Sequence, residues 1–164
     1  MIHIKNVLVA TDFSEPSTVA LDYGRELART YDAKLHVIHA VDDLRWRYVT
    51  DMVPPALIGV QEELETSARA RLNTLLTDED RRQLRACAIA VTAFAAAEAI
   101  VTYANAEAVD VIVLGTHGRS GLAHLFLGSV AERVIRLAPC PVLTVRHPEH
   151  EFIAPDALVA VAKA

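Results

Sequence analysis

Short apolar runs alternate with amphipathic stretches along residues 7–145. The apolar runs have the length of strands and no polar alternation, which predicts a parallel sheet covered by helices on both faces. They occupy residues 7–10, 35–41, 86–93, 111–114 and 141–145. Between them, apolar side chains recur at three-to-four spacing, which predicts helices over 19–31, 57–75, 96–107 and 129–137. The order predicts a single α/β domain with an open parallel five-stranded sheet and right-handed crossovers.

Several local features follow from the same pattern. Ser14 is the predicted N-cap of the first helix, with Pro16 in its first turn. Residues 42–55 begin polar and end in two prolines, so they predict an excursion above the sheet, and residues 78–85 predict a charged connection. The predicted core faces include Leu57, Gln61, Leu64, Ala68, Leu72 and Leu75 in the second helix, Ile100, Val101 and Ala104 in the third, and Val130, Val134 and Leu137 in the last.

Composition fits one soluble domain. The chain has 164 residues, of which 52% are hydrophobic and 23% charged, and its formal net charge is -5. Its basic residues are scattered, which argues against a nucleic-acid partner. The apolar runs are too short to predict a membrane span, and residues 1–7 lack the pattern of a signal peptide, so a cytoplasmic location is expected. Cys87 and Cys140 predict small buried residues in a reducing compartment.

Glycines concentrate where the fourth strand should lead into the last helix. Four of the six glycines, Gly115, Gly118, Gly121 and Gly128, fall in this connection. Glycine permits positive φ and lets backbone N–H groups approach an anion, and a helix start adds unpaired N–H groups and a positive dipole end. Ser129 could cap that helix and donate to a phosphate, with Arg119 as a nearby charge. A surface loop with glycines at its turns is the alternative.

Three familiar sequence motifs do not fit this chain. A P-loop needs Gly-Lys followed by Ser or Thr, and the chain has no Gly-Lys pair. The dinucleotide fingerprint should follow the first strand, where residues 11–14 read Thr-Asp-Phe-Ser. Residues 118–121 do not match the nucleophile elbow of α/β-hydrolases. The spacing of the seven histidines also predicts no metal site.

The glycine spacing, Gly115-x2-Gly118-x9-Gly128-Ser129, resembles the ATP-binding pattern of the universal stress proteins, with every fixed position filled. The apolar run before it, the segment 138–145 after it and the opening segment 7–14 resemble the same family. The resemblance spans about residues 3–146. It predicts a universal stress protein domain over 1–146 and leaves 147–164 as a tail that is a short helix, a dimer arm or disordered.

The resemblance implies a sheet order of 3-2-1-4-5, which places the first and fourth strands side by side at the switch point where open α/β sheets bind ligands. It also implies ATP as the ligand, with any Mg²⁺ arriving on the nucleotide. The acidic turn and the end of the second strand would face adenine, and the glycine motif would hold ribose and phosphates. The implied binding residues are Thr11, Asp12, Ala40, Val41, Gly115, Thr116, His117, Gly118, Arg119, Gly128, Ser129 and Val130.

One local departure is visible. Many members have a Gly-x-Pro turn where this chain has Phe94-Ala95-Ala96. The family also implies a homodimer through the fifth strand, which would protect an apolar sheet edge.

Three functions fit these features: a nucleotide-responsive signalling module with unknown protein partners, a slow ATPase or autophosphorylating enzyme, and a nucleotide-independent dimeric scaffold. The first is preferred because the sequence offers no recognisable catalytic base or phosphate-gripping lysine. Asp12 could act as a general base, but a hydrogen-bonding role at the helix start is the simpler reading. His117 could contact phosphate or solvent, and Trp46 and Tyr48 could border a ligand or pack on the second helix.

Overall fold

The computed structural model of the chain describes residues 2–47, 55–116 and 128–146. Five parallel strands form one sheet in the order β3-β2-β1-β4-β5, which confirms the predicted topology. The strands are β1 (Asn6–Ala10), β2 (Lys34–Asp42), β3 (Cys87–Ala93), β4 (Val111–Gly115) and β5 (Val142–Val145). The helices are α1 (Glu15–Tyr31), α2 (Pro55–Leu75), α3 (Asp78–Gln83), α4 (Ala96–Ala106) and α5 (Ser129–Leu137), with a 3-10 turn at Leu44–Arg47.

The central strand β1 has neighbours on both sides. Val7 is in register with Leu35 of β2 and with Val111 of β4. Alternate side chains of β1 enter two different cores, because successive residues of a strand point to opposite faces. Val7 and Val9 join the core with α1 and α2, whereas Leu8 joins the core with α4 and α5. Burial on both faces explains why the strands read as uninterrupted apolar runs.

The predicted charged connection at 78–85 is wrong in one respect, because it contains α3. Thr77 is its N-cap: the Thr77 side chain accepts a hydrogen bond from the Asp80 amide, and the Asp80 carboxylate accepts one from the Thr77 amide. The buried Asp80 also accepts a hydrogen bond of 2.9 Å from the half-buried guanidinium of Arg25 on α1. This reciprocal capping and the ion pair stabilise a helix that its charges had made look like solvated loop.

The buried faces of α2 and α5 are narrower than the sequence predicted. On α2, Gln61 and Leu72 are buried but Leu64 is 41% exposed. On α5, Val134 is fully buried, whereas Val130 and Leu137 are exposed. Each of these helices rests on its neighbours along a narrower stripe than its apolar pattern predicted, so the flanking apolar residues stay at the surface.

Other sequence predictions have mixed outcomes. Ser14 is the N-cap of α1, as predicted, although its side chain makes no capping bond to the helix. Cys87 and Cys140 are free thiols but half-buried rather than buried. In the described part of the chain, every helix is too short or too polar to span a bilayer. Tyr48, the side chain of Trp46 and the tail 147–164 lie outside the described residues.

A polar cluster around the buried His36 joins β1, β2 and α4. His36 is only 1% exposed, and its Nδ1 lies 2.8 Å from the Tyr103 hydroxyl. Its Nε2 lies 3.4 Å from Oδ1 of Asn6, whose amide nitrogen donates to the carbonyls of Glu107 and Ala108. This arrangement fits a neutral imidazole that donates through Nε2 and accepts through Nδ1. Burial, aided by the positive charge of Lys34, lowers the pKa of His36, although Glu107 opposes the shift.

Helix α1 lies close to β1 at Gly24. A Cβ atom at this position would lie 2.2 Å from Cγ2 of Val9, which is far inside van der Waals contact. The absence of a side chain therefore lets α1 pack tightly on the central strand.

Replacing Gly24 with Ala is expected to lower the free energy of unfolding by about 1 kcal/mol. Overpacking costs roughly 1–3 kcal/mol and outweighs the gain of about 1 kcal/mol in helix propensity. Urea unfolding would measure the change. Gly59→Ala on α2 is the matched control, because nothing lies within 4 Å of a Cβ there, and it should stabilise the protein. Equal stabilisation by both substitutions would contradict the close packing.

Acid should destabilise the fold through His36. Its pKa in the folded chain is below the unfolded value of 6.5, so the unfolded chain binds the proton more readily. The contribution of neutral His36 is complete above that pH and decreases as the pH falls below it. Urea unfolding can be measured over about two pH units around this value, from roughly pH 7.5 to roughly 5.5. The free energy of unfolding should fall more steeply with decreasing pH for the wild type than for His36→Gln. Parallel profiles would contradict this prediction.

Candidate functional site

A cavity of about 370 Å³ opens at the carboxyl ends of the strands. Its floor comes from the ends of β1, β2 and β4, and its walls include the starts of α4 and α5. Because β1 and β4 are adjacent and their connections diverge, this is the switch point of the sheet, the usual ligand position in open α/β proteins.

The structure brings most of the predicted binding residues to this cavity. The ones that line it are Thr11, Asp12, Ala40, Gly115, Thr116, Gly128, Ser129 and Val130. Val41 is buried and is not part of the lining. Side chains alternate along β2, so Ala40 shares the cavity face with Ile38, while Val41 has the opposite orientation. His117, Gly118 and Arg119 lie outside the described residues.

The turn after β1 is held by the side chain of Thr11. Its Oγ1 accepts a hydrogen bond of 3.0 Å from the Phe13 amide. Ser17 Oγ donates to the Ser14 carbonyl at 2.8 Å, so the 3.0 Å contact between Thr11 and Ser17 is best satisfied with Thr11 as donor. Thr11 and Ser17 are both buried. These bonds fix the first turn of α1 against the end of β1.

Asp12 supports the same turn from the cavity side. Its Oδ1 accepts a hydrogen bond of 3.0 Å from the Ser14 amide and a second bond from the Ser14 hydroxyl. Aspartate commonly stabilises turns in this way. The hydrogen-bonding role considered for Asp12 in the sequence is therefore observed, and Asp12 is also among the residues that line the cavity.

An aromatic stack also supports the turn after β1. The Phe13 ring centroid lies 4.3 Å from that of His39, and the guanidinium carbon of Arg71 on α2 lies 4.0 Å above the Phe13 ring. His39 Nδ1 donates to the Thr11 carbonyl at 2.8 Å. Phe13 has a φ of 64°, a left-handed conformation that costs energy for a residue other than glycine, and the stack helps to hold it.

Three polar residues of the described cavity lining were not among the predicted binding residues, namely Ser17, His39 and Asp42. Asp42 could have been found, because it continues the alternation of Ile38 and Ala40 at the end of β2. Ser17 and His39 carried no comparable signal, since they reach the site through contacts with the turn after β1.

The two described motif glycines have structural roles at the ends of β4 and α5. At Gly115, a Cβ would lie 3.1 Å from the backbone of Pro16, so the close approach of α1 favours glycine there. Gly128, not Ser129, is the N-cap of α5, and its φ of -56° is open to any residue. Its amide donates to the Thr116 carbonyl at 2.7 Å and is therefore already used.

The cavity has two electrostatically distinct sides. At the start of α5, the amides of Ser129, Val130 and Ala131 are the first-turn N–H groups, which have no partner within the helix, and they carry the positive end of its dipole. The carboxylates of Asp12 and Asp42 lie among the lining residues from β1 and β2. The described lining contains neither Lys nor Arg. An anion would therefore be favoured beside α5 and hydrogen-bond donors beside the carboxylates.

The fold and this cavity together define an open-sheet α/β protein with a candidate ligand site at its switch point. The universal stress protein family matches residues 3–146, and the chain belongs to that family. This confirms the family resemblance seen in the sequence. A relative from Methanocaldococcus jannaschii, universal stress protein MJ0531, is 31% identical over 158 residues, which cover 90% of this chain and 85% of the relative.

Solved structures share the same fold. A universal stress protein family member from Burkholderia pseudomallei is 29% identical with a TM-score of 0.66, and the match covers 87% of this chain and 96% of that one. A universal stress protein in complex with cAMP is 27% identical with a TM-score of 0.54, and the match covers 88% of this chain and 98% of that one.

Proposed function

We propose that the protein is a nucleotide-responsive module that binds ATP in the switch-point cavity. The observation that carries this proposal is the start of α5, where Ser129 and Val130 line a cavity whose other side includes Asp12 and Asp42. The phosphates would lie at the amides of Ser129 and Val130, where the helix dipole stabilises negative charge. A related universal stress protein has been solved in complex with cAMP, which supports an adenine nucleotide.

The base would lie on the opposite side of the cavity. Ala40 offers a small apolar surface at the end of β2, and the Thr11–Asp12 turn offers polar atoms to the edge of adenine. The cavity volume of about 370 Å³ falls in the range of roughly 300–1,000 Å³ that is usual for small-molecule sites.

Nucleotide binding is preferred to ATP hydrolysis as the main activity. The described lining supplies amides, hydroxyls and carboxylates, but it supplies no cation of the kind that phosphoryl transfer uses. Any Mg²⁺ would arrive with ATP and complete the charge balance. Nucleotide occupancy in a cytoplasmic homodimer would then change which protein partners the module binds.

The dimer would form through β5. This strand is at one edge of the sheet and pairs with β4. The carbonyl of Pro141 accepts a hydrogen bond from Ile112 of β4, and that of Val145 accepts one from Thr116, directly after β4. By alternation, the backbone groups of Val142 and Thr144 face away from β4. Leu143 is 36% exposed on the same strand. An apolar edge with outward N–H groups is suited to pairing with a second copy.

Gly128→Val should weaken ATP binding by roughly tenfold or more, because a branched side chain at the N-cap blocks the approach of phosphate to the α5 amides. The φ of Gly128 is open to valine, so the fold should survive. Equilibrium dialysis with labelled ATP would measure the affinity, and circular dichroism would check folding. Gly59→Val, at a position with open space, is the matched control. Equal binding by wild type and Gly128→Val would refute the site.

Thr144→Pro should convert the dimer to a monomer, because proline removes an outward N–H group and is otherwise tolerated at an edge strand. Thr144→Val retains the N–H and should remain dimeric. Sedimentation velocity would distinguish the two states. A dimeric Thr144→Pro protein, or a monomeric wild type, would exclude pairing through β5.

A further inference from the structure

A second concavity, the β3–α4 groove, runs between β3 and α4 and has a volume of about 990 Å³. Ile89 and Val91 of β3 form one wall, and Ala99 and Ala106 of α4 belong to the other. Phe94 stands at the end of β3 with 72% of its surface exposed. A contiguous exposed apolar surface often marks a binding site.

The chemistry of the groove favours an apolar occupant. Most of its α4 wall consists of alanines, whose small side chains leave space without offering hydrogen bonds. The two charged side chains among its described lining, Glu98 and Arg133, form an ion pair with each other. The pair joins the two charges, although one Glu98 oxygen has no hydrogen-bond partner among the described residues. The hydroxyls of Thr92 and Tyr103 in the lining already contact Glu65 and His36, so most of the exposed lining is apolar.

The groove is continuous with the switch-point cavity. Ala96 at the start of α4, together with Ser129 and Val130 at the start of α5, lines both spaces. The junction therefore lies beside the α5 amides that the proposed function assigns to phosphate. A group attached to that phosphate would leave the cavity across these residues and enter the groove.

We propose that the site takes adenine nucleotides that carry an apolar chain on the phosphate, with the nucleotide in the cavity and the chain in the β3–α4 groove. This inference rests on the proposed function, since the nucleotide must first occupy the cavity. The chemical class is a phosphate ester or mixed anhydride of AMP with an aliphatic group. Burial of the chain adds affinity in proportion to the apolar area removed from water.

Isothermal titration with AMP and with its n-octyl phosphate ester tests the inference. The ester should bind the wild type roughly tenfold or more tightly than AMP, because several methylene groups become buried. Ala99→Phe fills the groove at a position that does not line the cavity, so it should remove this gain and leave AMP binding unchanged. Ala70→Phe, at an exposed position on α2, is the matched control and should retain the gain.

Folding defects and nonspecific adsorption need separate controls. Ala106→Phe, at the exposed far end of the groove, serves as a second filled variant and should curtail the gain for a dodecyl ester. Octyl phosphate without adenosine should bind weakly, because it cannot use the rest of the cavity.

The outcomes separate the two proposals. If AMP binds but the ester binds no tighter, or if both filled variants keep the full gain, the inference is overturned and the nucleotide site stands. A change of oligomeric state in Ala99→Phe, with no change in ester affinity, would assign the groove to a second copy of the chain and also overturn it. If AMP and ATP both fail to bind, the proposed function fails, and the inference with it.

Discussion

The double pairing of β1 determines the rest of the structure. Val7 and Val9 pair with β2 on one side and β4 on the other while their side chains are fully buried. The chain leaves β1 toward β2 and β4 toward β5, which lie on opposite sides of this pair of strands, and right-handed crossovers then place α1 and α5 on opposite faces of the sheet. That divergence leaves an opening at the carboxyl ends of the two strands. The candidate site therefore follows from strand order before any side chain contributes to it.

The walls of the opening depend on the position of α1. Gly24 lets the helix lie against β1, and Gly115 lets the end of β4 approach Pro16 in its first turn. The hydrogen bond between Thr11 and Ser17 then joins that turn to the end of β1. A shift of α1 by even a fraction of an ångström would change the cavity, because packed interiors transmit small displacements. Packing and ligand geometry are consequently coupled in this fold.

The sequence predicted the elements whose environment is uniform. Strands buried on both faces appear in the sequence as uninterrupted apolar runs, which predict them reliably. The glycine spacing identified the connection after β4. Helix α3 was missed because its charges suggested solvent, although Thr77 and Asp80 have the spacing of a capping box. Leu64 and Leu137 were misplaced because a helical pattern does not reveal how much of each face a neighbour covers. The role of His39 depends on a contact with Thr11 across two strands, which no local pattern encodes.

The two sides of the cavity differ in how selectively they can bind a ligand. Backbone amides at the start of α5 attract any phosphate, because they carry no side-chain identity. If the cavity binds nucleotides as proposed, discrimination among them would fall to the other side, where Asp12 accepts hydrogen bonds from Ser14 and the carbonyl of Thr11 accepts one from His39. The Phe13 ring, between His39 and Arg71, connects this turn to α2. A ligand that displaced the turn would have to disturb that stack, so α2 is the element through which base recognition could alter the outer surface.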